Sequence, residues 1–204
     1  EISEKVPKCY QNLIFKCLKF DPKQRPTFTD IVKFLRNEKS FISDTVDEQE
    51  FLKFCEFLDS SQQKEKETVF EVNEKPIDIN LFKIGEMINK GTFSSIYKVT
   101  HIETSDEFLA KICNKDLDSC GSIRIRDLNN EINIISKLNS RSILRFIGFS
   151  EKDFENQRKP TIITEFAKNF SLDQLIERER NGLSEPCLTD TKKLIIIFGV
   201  ASGM

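Results

Sequence analysis

The chain has 204 residues, 38% of them hydrophobic and 31% charged, a balance ordinary for a soluble protein and sufficient for a packed core in one or two domains. Its 31 Lys and Arg against 33 Asp and Glu give a net charge of −2, which argues against nucleic acid or an anionic membrane surface as the main partner. The longest apolar stretch, Leu194 to Ala201, is far too short to span a bilayer.

The six cysteines (Cys9, Cys17, Cys55, Cys113, Cys120 and Cys187) form no C-x-x-C pair, and the single histidine is His101. A structural zinc site needs such ligands clustered, so this pattern speaks against one. Scattered cysteines without a signal peptide read as reduced thiols of an intracellular, cytoplasmic protein. The sequence opens on Glu1 and closes on Met204 with no helix-stop chemistry after Gly203, which reads as a piece of a longer chain.

Residues 1–38 read as two helices. Leu13, Cys17 and Phe20 share one face of the first, with Pro22 ending it. Thr27 and Asp30 stand at capping-box spacing before Ile31, Phe34 and Leu35 of the second. Residues 39–78 hold a short amphipathic helix from Asp47 to Leu58, whose stripe of Phe51, Phe54, Cys55 and Leu58 needs a partner surface. The polar run from Ser60 to Lys75 then reads as a linker, with a domain boundary near residue 70.

From residue 79 the pattern turns to strands and then helices. Leu81–Ile88, Phe93–Ile102 and Glu107–Asn114 read as strands separated by turns at Gly91 and at Thr104-Ser105-Asp106. A helix follows over Ser122–Leu138, with Leu128, Ile132, Ile135 and Leu138 on one face. Strands over Ile143–Ser150 and Thr161–Phe166 come next, then helices over Leu172–Arg180 and Thr189–Gly203. This order is α+β.

Three features carry chemistry. Gly91 lies in a turn of small residues, where backbone N–H groups can approach a phosphate, although such a turn is also an ordinary hairpin. Lys111 sits inside the apolar strand Phe108-Leu109-Ala110-Lys111-Ile112, where it either snorkels to solvent or needs a partner. Glu131 lies on the apolar stripe of the following helix and supplies that partner, so the two are expected to pair from inward faces.

This ordered set resembles the amino-terminal lobe of a eukaryotic protein kinase. The G-x-G-x-x-G-x-V pattern falls on Asn89, Gly91, Ser94 and Ile96, with only the middle glycine present and Phe93 at the loop tip. The resemblance implies a five-stranded antiparallel sheet plus one long helix, with the start of a helical second lobe. It implies that Lys111 holds the ATP phosphates, that Glu131 orients Lys111, and that Ile88, Asn89, Gly91, Phe93 and Ser94 cover the nucleotide. Ile96 and Leu109 would sandwich the base, Thr164 would be the gatekeeper, and Glu165 and Ala167 would offer backbone groups to adenine. Leu109 stands where the family has a small alanine, with Ala110 one place later.

The stretches Ser142–Gly148, Ile162–Phe166 and Asn169–Leu172 resemble the tyrosine-kinase-like group. Cys17 to Phe28 resembles the C-W-x-x-D-P-x-x-R-P-T-F near the end of a kinase carboxy-terminal lobe, with Leu18 for the tryptophan. The two resemblances together imply a tandem-kinase protein. Residues 1–38 would end one kinase domain, 39–78 would connect, and 79–204 would begin the next.

The sequence contains no H-R-D and no D-F-G. By resemblance, Mg²⁺ is expected only in a full-length parent, and these residues alone are expected not to catalyse phosphoryl transfer to protein substrates. The competing reading is a pseudokinase or interaction module, suggested by Asn89, Ser94 and Leu109. A scaffold that docks through residues 47–58 is a third, set against simple packing of that helix on a kinase lobe.

Overall fold

The computed structural model describes residues 2–64, 76–116, 122–138, 140–169, 171–183 and 188–204. Two compact units form, one from Glu1–Glu67 with Phe170–Met204, the other from Thr68–Asn169.

The first unit is helical. Helix α1 spans Lys8–Cys17, and the Leu18 N–H closes it on the Ile14 carbonyl. It therefore ends well before Pro22. Phe20, expected on its apolar face, stands outside the helix and is 99% exposed. The connection is fixed instead by Asp21, whose side chain accepts from the Lys23 N–H, and by Arg25, whose Nε donates to the Lys19 carbonyl at 2.9 Å. Helix α2, Phe28–Asn37, begins with the expected capping box. The Asp30 N–H donates to Thr27 Oγ1, and the Thr27 hydroxyl and N–H both donate to Asp30 Oδ2, the hydroxyl first and the N–H second in holding the Asp30 carboxyl below its ordinary range.

Helix α3 runs over Glu48–Lys64, past Leu58 and into the polar stretch expected to be linker. An ion pair from Arg36 to Asp59, at 2.7 Å, ties its later turns to α2. The rest of the expected linker, residues 65–75, lies outside the described residues. Helices α5 (Leu172–Arg180) and α6 (Asp190–Gly203) complete the unit. Leu35 of α2, Phe51 and Cys55 of α3, and Leu194, Phe198 and Ala201 of α6 form one buried cluster with Phe41. The rings of Phe51 and Phe198 meet edge to face at 5.3 Å. Two polar contacts fix the same junction: Thr45 Oγ1 donates to Asp190 Oδ2 at 2.6 Å, and the Asp47 N–H donates to Thr191 Oγ1 at 2.8 Å.

The second unit is a five-stranded antiparallel sheet with one long helix. Strands β1 (Phe82–Lys90), β2 (Ser94–His101), β3 (Glu107–Cys113), β4 (Phe146–Ser150) and β5 (Thr161–Glu165) are ordered β1-β2-β3-β5-β4. The turn between β2 and β3 places Ser105 at φ 60°, a left-handed conformation. Helix α4, Ser122–Ile135, follows β3, and the side chain of Leu128 lies outside the described residues. One face of the sheet is core: Val99, Ala110 and Ile163 are fully buried with Ile112, Phe82 and Ile79. The segment before β1 covers that face. The Ile77 N–H donates to the Phe149 carbonyl at 2.8 Å, and its side chain presses on Gly148, where a Cβ would lie 2.3 Å from Ile77 Cγ2.

Two outcomes follow. Gly148→Val should destabilise the second unit by about 1–3 kcal/mol, because the branched side chain collides with Ile77. Ile77→Ala in the same chain should recover part of that loss, as a double-mutant cycle in urea would show. In the first unit, hydrogen bonding from Thr45 holds the Asp190 carboxyl below its ordinary 3.8. The contact therefore stabilises fully above that value and is lost as pH falls through the lower folded-state value. The melting-temperature advantage of wild type over Asp190→Asn should shrink between pH 5 and pH 3, the mostly exposed site keeping the effect small.

Candidate nucleotide site

Antiparallel pairing puts directly opposed residues on the same face. Ile96 of β2 faces Lys111 of β3, and Lys111 faces Ile162 of β5. One row along, Lys98 faces Leu109, and Leu109 faces Thr164. Asn89 of β1 pairs with Ile96. The register thus gathers Asn89, Ile96, Leu109, Lys111 and Thr164 on one side of the sheet. It also assigns Leu109 and Ala110 to opposite faces: Ala110 is fully buried in the core, so Leu109 is the one that lines this surface beside Thr164.

Lys111 Nζ donates to Glu131 Oε1 at 2.5 Å, joining β3 to α4. The two side chains are 40% and 42% exposed, so the inward, buried setting expected of them is half solvent. A carboxylate and an ammonium at that exposure keep much of their hydration, and neither needs the other to avoid burial. An ammonium carries three donors, and the bond to Glu131 uses one of them. The arrangement therefore aims a fixed positive charge across the face shared with Ile96 and Leu109.

The β1–β2 turn rises beside this row. The Gly91 N–H donates to the Ser94 carbonyl at 2.8 Å, and a Cβ at Gly91 would stand 3.2 Å from that oxygen. Glycine serves here for close backbone approach, and its own N–H is turned into the hairpin. Phe93, at the tip, is 64% exposed, and Ile88 on β1 is exposed as well. Ser94 opposes Cys113 at the end of β3.

At the end of β5, the Glu165 N–H donates to the Arg145 carbonyl and the Glu165 side chain accepts from the Arg145 N–H, both at 3.0 Å. Its N–H is thus engaged, and its carbonyl faces the Thr164 hydroxyl at 3.4 Å. Ala167 follows, exposed. Lys98 stands next to this segment. Its ammonium lies 5.0 Å from the Phe166 ring centre and 2.6 Å from Glu107, whose carboxyl that bond holds below the usual range.

Three groups escaped the sequence reading. Lys98 and Phe166 form a cation–ring contact that no local pattern announces. Asn114, just after β3, bonds to the turn: its Nδ2 donates to the Gly91 carbonyl at 2.9 Å and its Oδ1 accepts from Ser95 Oγ at 2.7 Å. A cavity of about 350 Å³ opens on the far face of the sheet, lined among others by Met87, Tyr97, Ile112, Phe154 and Lys159, and it does not include Lys111. Cys55 of the first unit is no reactive thiol, since burial pushes it up to about 11.

The family profile described as protein kinase domain matches residues 82–197, more than half of the chain. The chain belongs to the protein kinase family. Among curated proteins, a G-type lectin S-receptor-like serine/threonine-protein kinase of Arabidopsis thaliana is 31% identical over 135 residues, covering 66% of this chain and 16% of the relative. LIM domain kinase 1 of Drosophila melanogaster is 29% identical over 121 residues, covering 59% of this chain and 9% of the relative. The chain therefore spans less than a fifth of the length of these relatives. The five-stranded antiparallel sheet with its long helix is the expected architecture of a kinase amino-terminal lobe.

Among the described residues, no three His, Cys, Asp or Glu side chains cluster in a way that could hold a metal ion. No described helix is long and apolar enough to cross a membrane.

Because both members of the pair are more than a third exposed, their coupling should contribute no more than about 1 kcal/mol to folding. Denaturant titration of Lys111→Ala, Glu131→Ala and the double variant measures it. A coupling of several kcal/mol would mean the pair is buried after all.

Proposed function

We propose that this chain carries the nucleotide-binding lobe of a cytoplasmic protein kinase of the tyrosine-kinase-like group, which moves the γ-phosphate of ATP to protein hydroxyls, Ser/Thr rather than Tyr. The observation that carries the reading is the Lys111–Glu131 bond, set on the sheet face shared with Ile96, Leu109 and Thr164 and beside the Gly91 turn. The name of the Arabidopsis relative, a serine/threonine-protein kinase, supports the serine/threonine assignment.

In this reading Lys111 contacts the α- and β-phosphates, and Glu131 keeps the ammonium from following solvent. Asn89, Gly91, Phe93 and Ser94 cover the phosphates, with Ile88 at the edge of the base. Ile96 and Leu109 enclose adenine, Thr164 limits the depth of the pocket, and the carbonyl of Glu165 and the backbone of Ala167 meet its polar edge. Phosphoryl transfer depends mostly on positioning and charge stabilisation. With no H-R-D or D-F-G in these 204 residues, the base and the Mg²⁺ ligands must come from elsewhere in the parent. The isolated chain then binds Mg-ATP weakly and does not autophosphorylate.

Residues 1–38 fit the same reading as the last helices of a preceding kinase domain, with 39–78 leading into the kinase domain of 79–204. The cluster that joins Leu35, Phe51 and Cys55 to Leu194 and Phe198 supports docking of the 47–58 helix on the first helices of the second lobe. A second reading, a pseudokinase serving as an interaction module, draws on Leu109 opposite Thr164 and on Asn89 and Ser94 at two glycine positions.

Differential scanning fluorimetry with Mg-ATP tests the nucleotide site. A small upward shift, abolished by Lys111→Met, is the expected result. No shift at any nucleotide concentration favours the pseudokinase, and a shift that survives Lys111→Met removes Lys111 from the site.

A further inference from the structure

We propose that Asn114 is a positioning residue of the nucleotide site, holding the β1–β2 turn in place from the face of the sheet that a nucleotide does not touch. The inference rests on the nucleotide-binding reading of Lys111 and Gly91 and adds to it the group that fixes the turn.

Asn114 follows β3 directly and makes three bonds to one short turn. Its backbone N–H donates to the Phe93 carbonyl at 3.0 Å, its Nδ2 donates to the Gly91 carbonyl at 2.9 Å, and its Oδ1 accepts from Ser95 Oγ at 2.7 Å. Gly91, Phe93 and Ser95 span the turn, so its two ends and its tip are tied to a single residue. Ser95 is 7% exposed, which limits replacement of its bond by water. Ser95 opposes Ile112, whose side chain faces the core and not Lys111. Asn114 reaches Ser95 from that same side, and both line the far-face cavity with Ile112. A ligand at Lys111 would therefore not meet the Asn114 side chain, and any influence on it must pass through the turn.

The chemistry calls for an amide. One side chain must donate to a carbonyl and accept from a hydroxyl at once, which a carboxylate cannot do. The turn also has only Gly91 where the family pattern carries three glycines, with Asn89 and Ser94 at the other two positions. A turn already held in the shape that covers phosphate loses less freedom on binding, and the clamp supplies that preorganisation.

The test uses the full 204-residue chain as wild type, Asn114→Ala, Asn114→Asp, Asn114→Ala with Ser95→Ala, and Lys111→Met. MgADP affinity is measured by calorimetry, and amide hydrogen exchange over residues 91–95 is measured without nucleotide. Asn114→Ala should weaken MgADP by about fivefold or more, the equivalent of one or two net hydrogen bonds. It should speed exchange in the turn while leaving Ala110 and Ile163 protected. Adding Ser95→Ala should cost nothing further, since its bond is already gone. For Asn114→Asp, the affinity deficit relative to wild type should grow as pH rises through the carboxyl titration, because only the protonated form can donate to the Gly91 carbonyl. A role confined to global stability would not produce that pH profile. Wild-type affinity and unchanged exchange in Asn114→Ala overturn the proposal. Equal binding by wild type and Lys111→Met, or none by wild type, overturns the nucleotide reading and takes the positioning role with it. The exchange arm then still reports whether the clamp exists.

Discussion

The pairing of β2, β3 and β5 is continuous, from Ser94–Cys113 to Thr100–Glu107 on one side of β3 and from Phe108–Glu165 to Ile112–Thr161 on the other. Because side chains alternate along a strand, this single register decides which residues are core and which are site. It sends Val99, Ala110 and Ile163 into the dry layer under Ile77 and Phe82. It sends Ile96, Leu109, Lys111 and Thr164 to the other surface. A slip of β3 by one residue would bury Lys111 in an apolar layer and expose Ala110 and Ile112, so the apolar residues of one face fix the placement of the polar residues on the other.

The helical unit obeys a different constraint. Its core joins residues from opposite ends of the sequence, with Leu35 and Phe51 against Leu194 and Phe198. Helix α6 is apolar on most of its circumference, and its buried stripe of Leu194, Phe198 and Ala201 is covered by helices that precede the sheet in the chain. Closing a contact over that separation costs loop entropy that grows only slowly with length, so several fully buried large side chains are enough to offset it. The polar bonds of Thr45 to Asp190 and of Asp47 to Thr191 then set the register of that junction, where apolar contact alone would allow sliding.

Local chemistry made much of this legible. The Thr27–Asp30 box depends on residues three apart, and the structure reproduces it. Strand alternation and the helical stripe were enough to bring Lys111 to Glu131 across twenty positions. What the sequence did not reveal depends on neighbours distant in the chain. The end of α1 turns on the Asp21 and Arg25 bonds, and Phe20 accordingly left the expected face. Helix α3 continued through polar residues that composition alone assigned to a linker. Strand alternation already put Leu109 on the face of Lys111 and Ala110 on the other, and the pairing of Leu109 with Thr164 agrees with it. Asn114 was unreadable, since its partners sit on another strand and in the turn.

The Lys111–Glu131 contact sits at half exposure, and this separates its energetic weight from its directional one. An ion pair in that setting adds little to the folding free energy. An unpaired lysine on a half-open surface, however, samples many rotamers, and its charge is spread over the volume they sweep. Bonding to a carboxylate carried by α4 removes most of those rotamers, and the ammonium is then held at a distance fixed by a helix and a strand. Its stability against solvent thus depends on where α4 stands. The bond thus ties the direction of the Lys111 charge to α4 while adding little to the stability of the lobe.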